Sequence, residues 1–493
     1  MHPIQLNRGN LSRIMPPVTV PAYDVASVQP GIVHLGLGGF HRAHMARYTH
    51  ALMERDPDAL SHGIVGAGLR PADKPMHDSL APQDNLYTLL ERNGLDEKAS
   101  VIGSLAGLIY AGEDTTALMR MIDRPEIRIV SLTVTENGYC LNASSKRLDP
   151  AHPMIRRDLT HPRQPATAIG VLVEAYHRRK TAGQAPFTAL SCDNIQHNGA
   201  VLSGAVLDFA RLRDPELADW IEAHASFPST MVDRITPLTT PADKLALQER
   251  YGMTDNWPVV CETFTQWIIE DRFPTGRPQW QDVGAQFVAD VTPYEAMKLR
   301  LLNASHLAVS ALGRLAGLTY VDETMREPLL RAYMIALMDR ETSPTLDALP
   351  DVDLPAYKRT LVERFANTAI KDTVERVNTD APVNLLTDPV AARLASGQTI
   401  ELLALGLAAW LCRMRGHDDL GQPIEVRHPM VSLLRERAAA GGPDPRPLLG
   451  IEPLFGSLGR DPRLITPVAM WLTSLYQHGS LNTLQRAATQ LAF

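Results

Sequence analysis

Cysteine is scarce in this 493-residue sequence, and its four cysteines lie far apart, at positions 140, 192, 261 and 412. None of them belongs to a Cys-x-x-Cys pair. A disulfide framework or a cysteine-rich zinc site needs cysteines at short, regular spacings. The sequence therefore predicts neither scaffold, and we expect no metal site.

A surplus of positive charge and a long hydrophobic run are also missing. The net charge is −7 at neutral pH and the sequence pI is about 6.2, whereas a nucleic-acid partner normally requires a basic face. The longest apolar run, Leu402–Cys412, has eleven residues, and a membrane span needs about 20. The N-terminal segment has no apolar core of the signal-peptide type. We expect a cytoplasmic, monomeric protein that binds neither nucleic acid nor membrane.

Lysine is rare as well. Only eight of the 48 basic residues are lysine, and the other 40 are arginine. A lysine in an apolar segment therefore stands out, because a lysine amine can lose its proton at a usable pH whereas an arginine guanidinium does not.

Short β-branched runs alternate with helical patterns in the first half of the chain. Alternation of this kind predicts parallel strands in an α/β sheet. The predicted strands are Ile32–Leu35, Ile64–Ala67, Ile127–Thr135, Phe187–Ser191 and Val259–Glu262, and helices are predicted over Met45–Met53, Thr115–Ile122 and Ala166–Arg179.

The pattern changes near residue 290. From Pro293 onward the sequence shows helical periodicity and almost no strand pattern, and it ends in an amphipathic helix predicted over Ser480–Phe493. We therefore predict an α/β domain over residues 1–290 and a mostly α-helical domain over residues 291–493.

A glycine-rich turn follows the first predicted strand, in GIVHLGLGGFHRAH (residues 31–44). Gly36 permits a tight turn, and Gly38 lets a pyrophosphate approach the backbone where the next helix begins. His41 stands at the third glycine position of the dinucleotide fingerprint, so the motif alone is weak and could bind nothing. Its place after the first strand of a βαβ unit favours a nucleotide site. The predicted cofactor-binding residues of the turn are Gly36, Gly38, Gly39, Phe40 and Arg42.

The acid expected to bind the adenosine ribose falls at Asp73, 37 residues after Gly36. The usual distance is about 20 residues. An Asp here would accept from the ribose 2′-hydroxyl and repel a 2′-phosphate, which favours NAD over NADP. Asp73 could equally be only a helix cap, and its spacing does not separate the two possibilities.

Four polar residues share one side of a predicted helix in YEAMKLRLLNASH (residues 294–306). At about 100° per residue, these four fall within a sector roughly 140° wide, and Met, Leu and Ala fill most of the remainder. A structural helix often carries one such residue as a satisfied core group, whereas four together indicate a site. The four residues are Glu295, Lys298, Asn303 and His306.

These side chains suit the interconversion of an alcohol and a carbonyl by hydride transfer. That reaction needs a base for the hydroxyl proton and donors for the alkoxide. A lysine amine stripped of water loses its proton readily, so Lys298 is the predicted base and Asn303 and His306 the predicted donors. Glu295 would pass protons to solvent. Tyr294 and Lys298 also match the Tyr-x-x-x-Lys pair of short-chain dehydrogenases, a match that we attribute to chance because it opens the second domain.

Five motifs occur in a fixed order: GLGGFHRAH (36–44), SLTVTENGY (131–139), SCDNIQHNG (191–199), MVDRITP (231–237) and YEAMKLRLLNASH (294–306). In this combination the chain resembles the polyol-specific long-chain dehydrogenases, the mannitol dehydrogenase family, from about residue 5 to about residue 380. The resemblance implies a Rossmann-type N-terminal domain that binds NAD and a helical C-terminal domain that carries substrate-binding and catalytic residues. It also implies a metal-independent reaction.

The resemblance also implies roles for single residues. Lys298 looks like the family's general base, and Asn194 and Asn303 look like its oxyanion-holding amides. The other implied roles are contact with the reacting oxygen for His306, proton passage for Glu295 with Glu136 near that route, polyol binding for Asp233 and a preference for NAD at Asp73.

Within the family, Arg376 stands where the mannitol branch carries a substrate-binding Arg and hexuronate reductases generally differ. The family continues with Asp-Gly-Ser-x-Lys, whose Lys contacts substrate, but this chain has Asp380-Ala-Pro-Val-Asn384. The resemblance implies an NAD-dependent polyol 2-dehydrogenase that interconverts D-mannitol and D-fructose, with D-arabinitol or D-sorbitol as further substrates. The alternatives are a hexuronate reductase, acting on fructuronate or tagaturonate, and a non-catalytic NAD(H)-binding sensor.

Overall fold

The computed structural model describes residues 3–142, 145–349 and 351–493. The chain divides into two compact units, one ending at Thr292 and the other beginning at Pro293. All strands of the described residues lie in the first unit. They are Ile4–Gln5 (β1), Pro30–Leu35 (β2), Gly63–Gly68 (β3), Tyr87–Asn93 (β4), Asp96–Ile102 (β5), Leu105–Tyr110 (β6), Ile129–Leu132 (β7), Thr188–Ser191 (β8), Thr230–Asp233 (β9), Met253–Thr254 (β10), Val259–Glu262 (β11), Gln266–Glu270 (β12) and Gln286–Val288 (β13).

A five-stranded parallel sheet forms the centre of the first unit. Its spatial order is β6-β3-β2-β7-β8, and β2 pairs with β3 on one side and β7 on the other. Numbered by their own sequence, these strands lie in the order 3-2-1-4-5 that defines a Rossmann-type sheet. The order reverses between β2 and β7, and ligands bind such sheets beyond the carboxyl ends of the strands at that point. The predicted Rossmann-type fold of the first domain is confirmed.

Both faces of this sheet are buried, which explains why its strands are continuous hydrophobic runs. Ile32, Ile64 and Ile129 lie side by side in neighbouring strands and pack into one apolar core, together with the helix Met45–Met53. The next residue of each strand, such as Val33, points into the core on the opposite face. The α-helices of the first unit are Gly39–Ala43, Met45–Met53, Lys74–Leu80, Thr116–Ile122, Pro153–Thr160, Ala168–Thr181, Asn198–Arg213, Pro215–His224 and Pro241–Tyr251.

Two predicted strands differ from the structure. Val259–Glu262 has its predicted bounds but pairs with β4, in a separate sheet of order β11-β4-β5. The antiparallel β4–β5 hairpin was not predicted, because its polar turn interrupts the hydrophobic pattern. The strand predicted over Ile127–Thr135 ends at Leu132, since the backbone leaves the extended conformation and Thr135 has a φ of 62°. A third sheet has the order β13-β12-β9, and β1 pairs with β10.

The second unit is helical, as predicted, and no strand occurs among its described residues. Its predicted last helix spans Ser480–Leu491. The apolar run of the sequence forms the helix Glu401–Cys412, which is buried from Leu402 onward. The first helix of this unit begins one residue before it, at Thr292, and two of the helical segments are π-helical. The remaining α- and π-helices are Thr292–Met297, Lys298–Asn303 (π), Ala304–Leu315, Val321–Arg326, Pro328–Leu337, Met338–Thr342 (π), Leu354–Phe365, Val374–Asp380, Asn384–Ala395, Val431–Gly441, Arg446–Leu449, Glu452–Phe455 and Pro462–His478.

In the part of the chain that the structure describes, no helix is both long and apolar enough to cross a membrane. The four cysteines are buried free thiols.

Candidate active site

The glycine-rich turn lies at the carboxyl end of β2, where the strand order reverses. Gly36 has a φ of +87°, and a Cβ at this position would lie 2.2 Å from the Thr133 carbonyl oxygen, so only glycine fits. Gly38 is different, because its φ is −92° and an added Cβ would meet nothing closer than the Gly36 oxygen at 3.9 Å. Neither backbone conformation nor packing requires glycine at 38. A bare, exposed backbone is what the approach of a cofactor phosphate would require.

A directed chain of hydrogen bonds fixes this turn. The Thr133 hydroxyl donates to the Gly36 carbonyl at 2.8 Å, so it accepts at 2.9 Å from Nε2–H of His34. The other ring nitrogen, Nδ1, then accepts from the Ser131 hydroxyl at 2.8 Å. Burial lowers the pKa of His34 to about 3, so the imidazole is neutral as this chain requires. The chain joins β2 and β7 at the carboxyl end of the sheet.

His41 occupies the position of the third fingerprint glycine. A glycine there lets the helix backbone come close to the strand, whereas His41 holds the helix to the strand by packing its side chain. Its ring stacks on His34 with centroids 3.4 Å apart, and the helix Gly39–Ala43 is held to the strand in this way. Burial also lowers the pKa of His41 well below its ordinary value. Within the described residues, neither ring nitrogen of His41 has a hydrogen-bond partner.

The other predicted residues of the turn differ in what they offer a cofactor. An added Cβ at Gly39 would have ordinary contact, at 3.7 Å, with a Thr236 methyl group. The half-buried Phe40 ring stacks on His44. The Arg42 guanidinium faces the interior and donates to the Trp257 carbonyl at 2.6 Å, and burial lowers its pKa to about 10. The cofactor-binding role of Arg42 stays a prediction.

Asp73 follows β3 in a short 3₁₀ turn. Its carboxylate accepts from the Arg70 backbone N–H at 3.0 Å and from the Arg70 guanidinium at 2.9 Å, so it does cap the turn. It also lines a small pocket with Gly66, Gly68 and His77, among others, beside the glycine-rich turn. A cap and a ribose ligand are compatible at this position, and the ribose role stays a prediction.

The loop after β8 carries Asn194, and a buried carboxylate lies directly before it. Asp193 accepts from the backbone N–H groups of Val134 and Thr135, at 3.1 and 2.7 Å. The Tyr139 hydroxyl also donates to Asp193 at 2.8 Å. Burial raises the pKa of Asp193, and the three donors act against that rise. The side chain of Asn194 is exposed.

The SLTVTENGY and SCDNIQHNG motifs are therefore joined by hydrogen bonds, and SCDNIQHNG is joined in turn to Thr230, the residue directly before MVDRITP. The Asn198 amide donates to the Asp193 carbonyl at 3.0 Å and to the Thr230 carbonyl at 2.8 Å. Asp233 ends β9 and is buried. The next residue, Arg234, is fully buried, donates to the Ala43 carbonyl at 2.6 Å and pairs with Glu91. These contacts of Arg234 hold this part of the motif, and with it the adjacent Asp233, in place.

In the second unit, the predicted α-helix over residues 294–306 is wrong in its middle. Residues Lys298–Asn303 form a π-helical segment, and the Ala304 N–H bonds to the Leu299 carbonyl, five residues back. A π-helix places residue i+5 where an α-helix places i+4. Lys298 and Asn303, which α-helical geometry puts at opposite edges of the polar sector, therefore lie one above the other. π-helical segments occur frequently at functional sites.

Lys298 is only 8% exposed, and Glu295 and His306 are buried as well. The Asn303 side-chain oxygen is buried and has no hydrogen-bond partner among the described residues. A buried lysine on the same side of a π-helix as an asparagine amide is a suitable base and donor for an alcohol.

The carboxylate of Asp372 pairs with Arg376 and lies near His306, two predicted site residues of this unit. Asp372 Oδ1 accepts from Arg376 Nε at 2.6 Å, and its other oxygen pairs with Nη2 of the same fork. That second oxygen lies 4.0 Å from His306 Nε2. Arg376 also donates to Asp380 at 3.1 Å, so two carboxylates surround its single positive charge. Glu136, which the resemblance places near the proton route, is exposed, and its Oε1 atom lies 3.4 Å from Lys146 Nζ.

Sequence reasoning missed His34, Asp193 and Asp372 as parts of the site. The signal for the first two was present, since a histidine interrupts the apolar strand GIVHLG and a second acid precedes Asn194 in its motif. Nothing in the sequence singled out Asp372. Among the described residues, no group of three or more His, Cys, Asp or Glu side chains is arranged to hold a metal ion.

A parallel sheet in Rossmann order, with a glycine-rich turn at its reversal point and a second, helical unit that carries a buried lysine, defines a class of two-domain dinucleotide-binding proteins. Comparison with known proteins narrows this class. The mannitol dehydrogenase Rossmann domain matches residues 30–282, and the mannitol dehydrogenase C-terminal domain matches residues 290–476. This chain belongs to the mannitol dehydrogenase family, and the resemblance drawn from its five motifs is confirmed.

Individual relatives span the whole chain. The mannitol 2-dehydrogenase of Aspergillus clavatus is 42% identical over 500 residues, which cover 99% of both sequences. The Pseudomonas fluorescens mannitol 2-dehydrogenase, solved as a ternary complex with NAD and D-mannitol, has 43% identity and a TM-score of 0.87 over 99% of this chain and 100% of that one. A D-sorbitol dehydrogenase in substrate-free form has 33% identity and a TM-score of 0.89, over 97% of this chain and 100% of its own.

Proposed function

We propose that this chain is an NAD-dependent polyol 2-dehydrogenase that interconverts D-mannitol and D-fructose, with D-arabinitol or D-sorbitol as further substrates. The observation that carries the proposal is Lys298, a buried amine on a π-helical segment that brings Asn303 to its side. Relatives that are mannitol 2-dehydrogenases over their full length support the same activity.

The glycine-rich turn supports NAD as the cofactor, which would accept the hydride from the substrate carbon when bound. Gly36 gives the turn its shape, and the open face of Gly38 leaves room for a phosphate against the backbone. Asp73, beside the same turn, is the residue that we propose to select NAD over NADP.

The proposed roles follow the order of events in oxidation. The amine of Lys298 takes the proton of the reacting hydroxyl as the C–H electron pair leaves with the hydride and a C=O bond forms. The amides of Asn194 and Asn303 donate to the oxygen while it carries negative charge. His306 orients that oxygen, and Glu295 returns the proton to solvent. Lysine and two amides thus supply the base and the oxyanion donors in this mechanism.

The charge around Arg376 favours a neutral polyol over a hexuronate. A substrate carboxylate requires an uncompensated cation, yet Asp372 and Asp380 already neutralise Arg376. The family's substrate-contacting lysine is missing from the corresponding stretch, Asp380-Ala-Pro-Val-Asn384, in this chain. We propose that Asp233 and Arg376 bind hydroxyl groups of an uncharged sugar chain.

A substrate panel with both cofactors tests the proposal. We expect NADH oxidation with fructose, weaker oxidation with xylulose or tagatose, little with fructuronate, and a preference for NADH over NADPH. Faster turnover of fructuronate would establish a hexuronate reductase. NADH binding without turnover of any ketose would establish a sensor.

We further propose that the protein acts as a cytoplasmic monomer. Light scattering after size-exclusion chromatography tests the assembly, with one chain of 54.2 kDa expected. Twice that mass would contradict the monomer.

A further inference from the structure

Asp193 is a buried acid that the proposed chemistry leaves unused. It is 6% exposed. It belongs to the loop that follows β8, and its side chain contacts the loop that follows β7. One carboxylate oxygen accepts from the Thr135 N–H, and the other accepts from the Val134 N–H and the Tyr139 hydroxyl. Because the protein engages both oxygens, Asp193 acts through these neighbours.

The backbone that Asp193 holds is strained. Thr135 has φ 62° and ψ 167°, a conformation that residues other than glycine rarely adopt. Such residues persist only when the surrounding structure fixes them, and they concentrate at functional sites. Asp193 accepts from the N–H of this very residue, through the shortest of its backbone hydrogen bonds at 2.7 Å.

The same residue is fixed on its other side. The Asp193 carbonyl accepts from the Asn198 amide at 3.0 Å, and Asn198 exchanges hydrogen bonds with both backbone groups of Thr230 at 2.8 and 2.9 Å. Asn194 follows Asp193 directly in the chain. The segment that Asp193 holds also reaches the cofactor turn, because Thr133 donates to the Gly36 carbonyl.

We propose that Asp193 is a positioning residue for the reaction. It fixes residues 134–139 against the loop that carries Asn194, and turnover depends on that fixed arrangement. This inference rests on the proposed function, in which Asn194 donates to the alkoxide. An Asp193 that was only structural would affect stability without changing the turnover of the folded enzyme.

The substitution Asp193→Asn tests the proposal in the full-length enzyme with NAD and mannitol. An amide cannot accept from all three donors, so we expect kcat to fall at least about tenfold while KM for NAD stays within about threefold, since small displacements near reacting groups reduce kcat strongly. Hydrogen exchange at the amides of Val134 and Thr135 should become faster in the variant.

Asp158→Asn is the matched control. Asp158 is fully buried and also accepts from two backbone N–H groups and a hydroxyl, those of Ala166 and Thr167, and in addition from the Arg157 guanidinium at 3.0 Å, but it contacts neither Asn194 nor the glycine-rich turn. We expect this variant to lose thermal stability and to keep the parent kcat at a temperature where it is folded.

Adding Thr135→Gly to Asp193→Asn distinguishes a loss of positioning from a general loss of stability. Glycine adopts a positive φ at little cost, so the double variant Asp193→Asn/Thr135→Gly should regain at least about threefold of the lost kcat. If Asp193→Asn does not fold, Tyr139→Phe removes one of the three donors and should lower kcat in the same direction by about two- to fivefold.

A kcat within about twofold of the parent in folded Asp193→Asn would overturn the proposal. A fall in kcat no larger than the fraction of unfolded Asp193→Asn explains would also overturn it. The same holds if the double variant recovers none of the lost kcat. A parent inactive on every polyol would overturn the proposed function instead. Exchange of the Val134 and Thr135 amides would then still decide whether Asp193 fixes the segment.

Discussion

Gly38 and Lys298 are two predicted site residues whose side chains the packing of the protein does not account for. Glycine at 38 has an ordinary φ and open space where a side chain would fit. Lys298 is buried, although a lysine ammonium is costly to remove from water. The proposed cofactor and substrate would account for both: a phosphate against the bare backbone of Gly38, and a substrate hydroxyl beside the amine of Lys298.

Replacing Gly38 by Ala should weaken cofactor binding without harming the fold. The added methyl group meets no protein atom closer than 3.9 Å but occupies the face that a phosphate would approach. We expect KM for NAD to rise at least about tenfold with the melting temperature unchanged. Gly204→Ala, in open space within a helix, is the control and should leave KM for NAD unchanged without lowering the melting temperature, since alanine is favoured over glycine in a helix interior. An unchanged KM in Gly38→Ala would place the cofactor elsewhere.

Replacing Lys298 by Ala should remove the base. General-base catalysis contributes about 10²- to 10⁴-fold, so we expect kcat for mannitol to fall by at least about 10² across pH 7–10 while NADH still binds. Fluorescence titration with NADH checks binding separately. Lys180→Ala, which removes a partly exposed lysine that donates to the Glu216 carbonyl, should be neutral. Near-parent turnover of Lys298→Ala throughout this pH range would show that another group is the base.

Replacing Asp73 by Ala should relax the preference for NAD. The change removes a negative charge that would repel a 2′-phosphate, and it frees the Arg70 guanidinium that now pairs with Asp73. We expect the ratio of kcat/KM for NAD to that for NADP to fall at least about tenfold. Asp78→Ala, which removes an exposed acid paired with Lys74, is the control. Unchanged selectivity would make Asp73 a helix cap only.

At the scale of elements, prediction succeeded where one physical signal dominated. Strands of the parallel sheet are buried on both faces, so Ile129–Leu132 and its neighbours appear as apolar runs in the sequence. The π-helical segment at Lys298–Asn303 was not predictable, because its residues also satisfy the α-helical period. Only the hydrogen bond between residues five apart distinguishes the two helices.

The second π-helical segment, Met338–Thr342, carries a titratable group at a helix end. Both oxygens of the buried Glu341 accept from the first N–H groups of the helix Glu401–Cys412, Leu402 at 2.9 Å and Leu403 at 2.7 Å. Burial nevertheless raises the pKa of Glu341 from 4.5 to about 7, so burial outweighs these hydrogen bonds.

This raised pKa predicts a pH dependence of stability. A group with a raised folded-state pKa contributes stability that is complete below its unfolded pKa, here 4.5, and is lost as the pH rises through about 7. The loss is on the order of 3 kcal/mol. Glu341→Gln should therefore flatten the fall in unfolding free energy between pH 4.5 and pH 8, as urea denaturation would show. Glu436→Gln, an exposed control, should keep the parent slope, and a parent slope in Glu341→Gln would contradict the assignment.

At the scale of the whole molecule, the two compact units separate the proposed tasks, with the cofactor turn in the first and the base in the second. Since the chain divides into two compact units, we expect calorimetry to resolve two unfolding components. NADH at about 100 times its Kd stabilises the state that binds it by about 2.7 kcal/mol. It should raise the melting temperature of the component that belongs to the first unit, and Gly38→Ala, by weakening binding about tenfold, should reduce that shift by about half or more. A single two-state transition, or equal shifts of both components, would contradict this division.

The sequence by itself determined the α/β and helical halves, the place of the nucleotide turn, the family and the residue types of the site. It did so because burial pattern, glycine content and motif order are local properties. The tertiary structure alone decided which donors Asp193 binds and in which direction the hydrogen-bond chain through His34 runs. It also decided how Asp372 and Asp380 neutralise Arg376 and how Lys298 and Asn303 align. Each of these depends on distances between groups far apart in the chain, or on one extra residue in a helical turn, and no local pattern encodes such distances.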